Sequence, residues 1–212
     1  MAIEPVQLHT ADGLTLEGEL RVPADVRAAA VLAHPHPLHG GNMRSIVIGA
    51  LFTGLPAAGI AALRFNFRGV GASEGAHDEG RGERLDVVAA VDALDEIVTA
   101  RGLPLVLAGW SFGADTALAV DDARHRGWFA VAPPLRHTGD VAAATDPRPK
   151  LLAIPQRDQF RSPESARQVV ASWTNTRIHV VAGADHFLVG RTDRVVELAI
   201  ELVRGLCDET AG

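Results

Sequence analysis

Apolar and polar residues along this chain follow two rhythms. In IEPVQLHTADGLTLEGEL, Leu14, Leu16, Gly18, Leu20 and Val22 take every second position, the period of a strand with one covered face. Two strands around Ala11, Asp12 and Gly13 predict a hairpin, and residues 23–27 read as a turn. Beyond it the alternation gives way to short, mainly apolar runs: residues 28–33, IAALRFNF, PLVLAG, GWFAVAPPL, KLLAIP and TRIHVVAG. Between them lie segments with helical character. Ile46, Ile48, Leu51, Phe52 and Leu55 predict a helix over about residues 45–58. Leu85, Val88, Val91, Leu94, Ile97 and Val98 predict a second over about 83–100, with Gly102 as its stop. Further helices are expected over about 112–124, in RSPESARQVVASW (entered at Ser162-Pro163) and over about 191–207.

Strands apolar on both faces, alternating with helices, imply an α/β fold. The expected architecture is a doubly wound, mostly parallel sheet with helices on both faces, preceded by an antiparallel hairpin. No internal repeat or low-complexity linker appears, so residues 1–212 are expected to form one domain.

Composition narrows the function classes. The net charge of -6, with arginines scattered rather than striped, argues against a nucleic-acid footprint. The single cysteine, Cys207, leaves no partner for an intrachain disulfide, which suits a reducing compartment. The N-terminus lacks a basic stretch followed by an apolar one, so no signal peptide is expected. No apolar run is long enough for a membrane span, and a cytoplasmic location is expected.

The chemistry centres on G-W-S-F-G at residues 109–113. A serine between glycines at this spacing sits on a sharp strand-to-helix turn, where small neighbours let the two elements approach and the hydroxyl projects at the sheet's carboxyl edge. The five residues alone are a weak signal, and an ordinary Gly-Ser turn is the bland alternative. The context favours the sharper reading, because LPLVLA precedes and FGADTALAV follows.

With this turn in place, the chain resembles the α/β-hydrolase fold family over nearly its whole length. The family's chain order of nucleophile, acid and histidine is matched by Ser111, Asp158 in PQRDQFRSPES and His186 in GADHFLVG. The resemblance implies a serine activated by a neutral imidazole, which is itself oriented by a carboxylate. The aspartate loop departs from the family pattern, with Pro155 where a glycine is often found. Asp185 competes for the acid role, but a residue adjacent in sequence reaches the far ring nitrogen poorly. The resemblance also implies an oxyanion hole made by the backbone N–H of Phe112 and a second N–H from HPHPLHGG. Pro35 and Pro37 have no N–H, which leaves His36 or Leu38, and alignment on His34 favours His36.

Rival readings are weaker. His34, His36 and His39 could be metal ligands, but no acidic cluster follows closely, so no metal or other cofactor is expected. NFRGVGAS lacks the ending of a phosphate-binding loop and is similar to the Arg-Gly-x-Gly-x-Ser turn of the hydrolase family, which is structural there. In that reading Arg68 holds neighbouring carbonyls, and Asp78, Glu79 and Glu83 beyond it are expected to form a solvated face and helix N-terminal charge.

Only about 17 residues, 133–149, separate GWFAVAP from KLLAIP, too few for a multi-helix cap. HPHPLHGG resembles a subgroup of small family members, and dienelactone hydrolase-like proteins are similar. The expected partner is a small or accessible acyl ester, thioester or lactone. Leu38, Trp110, Phe160 and Phe187 are candidate substrate-binding residues, with Phe112, Pro134 and Leu135 as further apolar walls. A homodimer is compatible with the chain, though no patch isolates it. The contrasting expectation is a non-catalytic hydrolase-fold protein that binds a ligand or partner without using the Ser111 hydroxyl.

Overall fold

The computed structural model describes residues 1–99, 101–136 and 141–210. The last residue of the helix expected over 83–100, and residues 137–140 of the connection after GWFAVAPPL, lie outside them. The hairpin forms as read. Strand β1 (Glu4–His9) pairs antiparallel with β2 (Thr15–Arg21), with Leu8 opposite Leu16. Its turn is closed by the Thr10 hydroxyl, which accepts the Leu14 N–H at 2.9 Å.

Six apolar runs become β3 (Ala28–Ala33), β4 (Ile60–Phe65), β5 (Leu105–Trp110), β6 (Gly127–Val131), β7 (Lys150–Pro155) and β8 (Thr176–Val181). They join the hairpin in one sheet of order β1-β2-β4-β3-β5-β6-β7-β8. β3 through β8 are mutually parallel, and the hairpin joins antiparallel through β2 and β4. The chain passes from β3 outward to β4 and then returns to the other side of β3 as β5. The strand order therefore reverses between β3 and β5, which opens a crevice at their carboxyl ends.

The helices are α1 (Ile46–Gly54), α2 (Gly82–Thr99), α3 (Phe112–Leu118), α4 (Ala142–Thr145), α5 (Pro163–Val169) and α6 (Thr192–Thr210). Alternate strand residues face two separate cores, which is why the central runs are mainly apolar. Val31, Leu105 and Leu107 pack with Val87, Val91 and Leu94 of α2 and with Ala114 and Leu118 of α3. Leu32, Val106 and Ala108 pack on the other face with Val47 and Leu51 of α1 and with Val195 and Leu198 of α6.

Four helices differ from expectation, among them α5, which ends at Val169 rather than at Trp173. α1 gives way to a 3-10 turn at Leu55–Ala58, because Pro56 has no N–H to continue an α-helical ladder. α3 stops at Leu118 rather than near 124. The Asp122 carboxylate accepts the N–H of Arg124 at 2.9 Å, a local alternative to helical pairing. α6 runs to Thr210, past the expected end at 207.

The glycine-rich turn is structural, but Arg68 works differently from expectation. Its guanidinium binds the carboxylates of Asp86 and Asp12 rather than carbonyls. Glu83 is fully buried rather than solvated; its carboxylate accepts the N–H groups of Asp78 and Gly80 and so shapes the loop before α2.

His34 and His125 are both fully buried. Burial pushes each imidazole down to about 4, against an ordinary value of 6.5; Arg148 adds to the shift at His125, and the Pro35 carbonyl opposes it at His34. Both rings are then neutral in the folded protein at pH values where the unfolded chain protonates them. Stability is expected to be full above pH 6.5 and to fall as the pH drops from 6.5 toward 4. The loss at pH 5 is roughly 2 kcal/mol for each ring. Urea midpoints at pH 7.5 and pH 5.0 check this, and an unchanged midpoint would contradict it.

Candidate active site

The serine turn lies at the crevice. Ser111 follows the last residue of β5 and caps α3, with φ +55° and ψ -120°, a left-handed conformation rarely held by a side chain larger than glycine. Its N–H donates to Val131 O of β6 at 2.9 Å, and its carbonyl accepts from the N–H groups of Ala114 and Asp115. The flanking glycines make the turn fit. A Cβ on Gly109 would meet the backbone of Gly113 and Ala114, and one on Gly113 would meet the carbonyl oxygens of Ala33 and His34.

The three residues matched by chain order are brought into one line. Ser111 Oγ lies 3.0 Å from His186 Nε2, and His186 Nδ1 lies 2.9 Å from Asp158 Oδ2. The Asp158 side chain is fully buried and the His186 side chain nearly so. Asp158 Oδ1 accepts the N–H groups of Phe160 at 2.8 Å and Arg161 at 3.1 Å, which fixes the carboxylate. A carboxylate oxygen can only accept, so Nδ1 is the donor and Nε2 is left to accept the serine proton. Asp185 turns elsewhere, with Oδ1 accepting the Phe187 N–H at 3.1 Å.

The loop after β3 is closed on itself. His36 O accepts the N–H groups of both His39 and Gly41 at 3.1 Å. His34 Nδ1 donates to Pro35 O at 2.6 Å, while Nε2 accepts the Phe67 N–H at 3.0 Å, so this ring braces the loop. The Leu38 N–H donates to His36 Nδ1 at 3.2 Å and is thereby occupied. The backbone N–H groups of His36 and Phe112 have no acceptor among the described residues. Among those residues no group of three or more His, Cys, Asp or Glu side chains is arranged to hold a metal ion.

These elements edge a cleft of about 1010 Å³ lined by Ser111, Phe112 and His186. Of the candidate substrate-binding residues, Trp110, Phe160 and Phe187 line it, whereas Leu38 is 72% exposed and is not part of the lining. Trp110 has a second part, since its Nε1–H donates to His186 O at 3.2 Å and ties the histidine loop to β5.

Two anchors of the site carry no mark in the sequence. Asp115 accepts the N–H groups of Leu135 and Arg136, pinning the segment after β6 to α3. Arg161 donates to Pro134 O at 2.9 Å and to Ser165 Oγ at 2.7 Å, tying the Asp158 loop to that same segment. Their only local signal is position, four residues after Ser111 and three after Asp158. Arg161→Ala removes bonds worth about 1 kcal/mol each, so kcat of a hydrolysed ester is expected to fall roughly tenfold as Asp158 loses its fixed geometry. Steady-state kinetics on the variant check this, and a wild-type kcat would remove Arg161 from any positioning role.

Sheet order, two-sided helix packing and a serine at the strand-to-helix turn define the α/β-hydrolase class. The alpha/beta hydrolase domain family matches residues 26–204, and the chain belongs to it. An uncharacterised protein of Rickettsia prowazekii is 34% identical over 177 residues, covering 77% of this chain and 73% of that protein. A structure described as an alpha-beta serine hydrolase homologue from Coxiella burnetii is 31% identical and superposes with a TM-score of 0.81, covering 97% of this chain and 98% of that one. A Xanthomonas campestris protein, described as an a/b serine hydrolase without lid, is 25% identical with a TM-score of 0.84, covering 97% and 95% of the two chains. Family and fold support a hydrolase-type activity on small substrates. No helix among the described residues is long and apolar enough to cross a membrane.

Proposed function

We propose that the protein is a lidless serine hydrolase that cleaves a small or accessible acyl ester, thioester or lactone through an acyl-enzyme. The observation that carries this reading is the continuous line Ser111 Oγ, His186 Nε2, His186 Nδ1, Asp158 Oδ2 on a strained turn at the mouth of a cleft. The description of the Coxiella protein as a serine hydrolase homologue and of the Xanthomonas protein as a serine hydrolase without lid supports it, as does the short connection between β6 and β7. Within the family, the HPHP loop and the compact plan favour the group of small HPHP-loop and dienelactone hydrolase-like members.

In this reading Ser111 Oγ attacks the acyl carbonyl carbon and its proton passes to His186 Nε2. The carbonyl oxygen gains the electron pair and is met by the N–H groups of Phe112 and His36. Leu38 is the weaker second donor because its N–H is already bonded to the His36 ring. Collapse of the tetrahedral centre breaks the bond to the leaving atom, which takes the proton from His186. Water then attacks the acyl-serine, gives a proton to His186 and releases the acid as Ser111 recovers its own. Asp158 keeps Nδ1 protonated throughout and stabilises the imidazolium.

A panel of p-nitrophenyl esters, thioesters and lactones of graded acyl length tests the reading. Saturable turnover of at least one class is expected, lost in Ser111→Ala. No turnover of any class, together with no covalent adduct at Ser111, would favour the non-catalytic alternative.

A further inference from the structure

The cleft has two unlike walls. Around His186 it is aromatic, with the ring of Phe160 at 4.4 Å, Phe187 at 5.8 Å and Trp110 at 6.3 Å between centroids. Around Phe112 it is basic. His36 and His77 lie 5.0 and 5.3 Å from the Phe112 ring, and His39 lies 4.7 Å from His36. Arg81, Arg84 and Arg136 line the same cleft. Arg81 is held by Asp78 at 2.8 Å. Arg84 and Arg136 make no ion pair or side-chain hydrogen bond with any other described residue.

Buried Glu83 lies 2.7 Å from His77 Nδ1, but the acids of the lining form no ion pair with Arg84 or Arg136 among the described residues. Asp115 spends both carboxylate oxygens on the backbone N–H groups of Leu135 and Arg136, and Glu79 lies 3.6 Å from Arg81. In a chain of net charge -6, two guanidinium groups in the cleft, unpaired among the described residues, run against the overall sign. His36 registers the surroundings. Its ring is pushed down first by burial and then by His77, His39 and Arg136, although Glu83 opposes them.

Resting on the serine-hydrolase reading, we propose that this basic wall is a subsite for an anionic group, carboxylate or phosphate, carried on the acyl part of the substrate and bound by Arg84 and Arg136. Direction follows from the chemistry. The leaving atom must face His186 Nε2 to receive its proton, which places the leaving group against Phe160 and Phe187. The acyl chain carried by the tetrahedral centre then runs away from His186, toward the Phe112 ring and the basic wall. Guanidinium groups suit this task because their planar donors match a carboxylate or phosphate face. The substrate class is an ester or thioester of an acyl chain with an acidic end and an apolar leaving group.

The test compares the mono-p-nitrophenyl ester of adipic acid with its methyl-capped, neutral twin and with a phosphonate-terminated ester of matched length. The expected kcat/KM is roughly tenfold higher for the carboxylate than for the neutral ester, the scale of a charge-assisted pair, and the advantage shrinks in high salt. In Arg84→Gln/Arg136→Gln the ratio of charged to neutral falls to near one. A phosphonate ester that keeps pace with the adipate assigns the shared anionic chemistry; one that trails it narrows the assignment to carboxylate. Two outcomes overturn the subsite while leaving the hydrolase reading intact: both esters turned over with no preference for charge, or a preference unchanged in the double variant. If no ester is turned over and Ser111 takes no phosphonyl adduct, the hydrolase reading falls and the subsite with it.

Discussion

Ser111→Ala is expected to lower kcat for any ester the protein hydrolyses by roughly 10,000-fold or more while leaving the fold intact. The hydroxyl contributes little to packing. Its polar contact is the 3.0 Å approach to His186 Nε2, and the backbone bonds that hold the turn come from the Ser111 N–H and carbonyl. Alanine also tolerates the position's strained φ no worse than serine does, so the melting temperature should move little. His186 and Asp158 remain paired at 2.9 Å in such a variant but have no hydroxyl proton to accept. Kinetics and thermal melts on the same preparation separate lost chemistry from lost structure. A variant that keeps a tenth of its kcat would show that another group is the nucleophile.

Gly113→Ala is expected to be among the most damaging single-methyl additions in the described residues. The new Cβ would meet the carbonyl oxygens of Ala33 and His34, which belong to the end of β3 and the start of the loop before the cleft. Neither is the tip of a flexible side chain, so relief requires α3 to move away from β3. The cost of such overpacking is about 3 kcal/mol or more, which in a domain of this size lowers the melting temperature by roughly 6–12 °C. The same movement spreads Phe112 from His36, so activity should fall beyond what instability alone explains. Gly205→Ala is the matched control. That glycine is exposed on α6, has ordinary φ and has nothing within 4 Å of an added methyl, so the change should be neutral or raise stability by about 1 kcal/mol. Equal melting temperatures for the two variants would refute a close approach of backbones at the turn.

Much of this arrangement was legible in the residues, for identifiable reasons. The strands were readable because the parallel sheet is covered on both sides, so β3 and β5 are apolar at every position. Ser111, Asp158 and His186 were readable because each follows a strand end in a recognisable local setting and in the family's chain order. What escaped depends on partners far away in sequence. Arg68 meets Asp12 across 56 residues, which no local pattern around NFRGVGAS reveals. Glu83 looked like helix-end charge, yet its carboxylate is consumed inside by loop N–H groups. The early end of α3 turns on Asp122 capturing the Arg124 N–H, a local competition that helical spacing does not register. The roles of Arg161 and Asp115 arise where three separate loops meet, so they emerge only from the assembled sheet edge.

Every step proposed for the cleft depends on Ser111 as the residue that is acylated. The most direct test is reaction with a fluorophosphonate, followed by digestion and mass mapping of the adduct. The predicted result is a single phosphonyl group on the peptide containing Ser111, absent after the His186→Ala change slows attack. A protein that hydrolyses esters yet stays unlabelled at Ser111, or carries the adduct on a different residue, would contradict it.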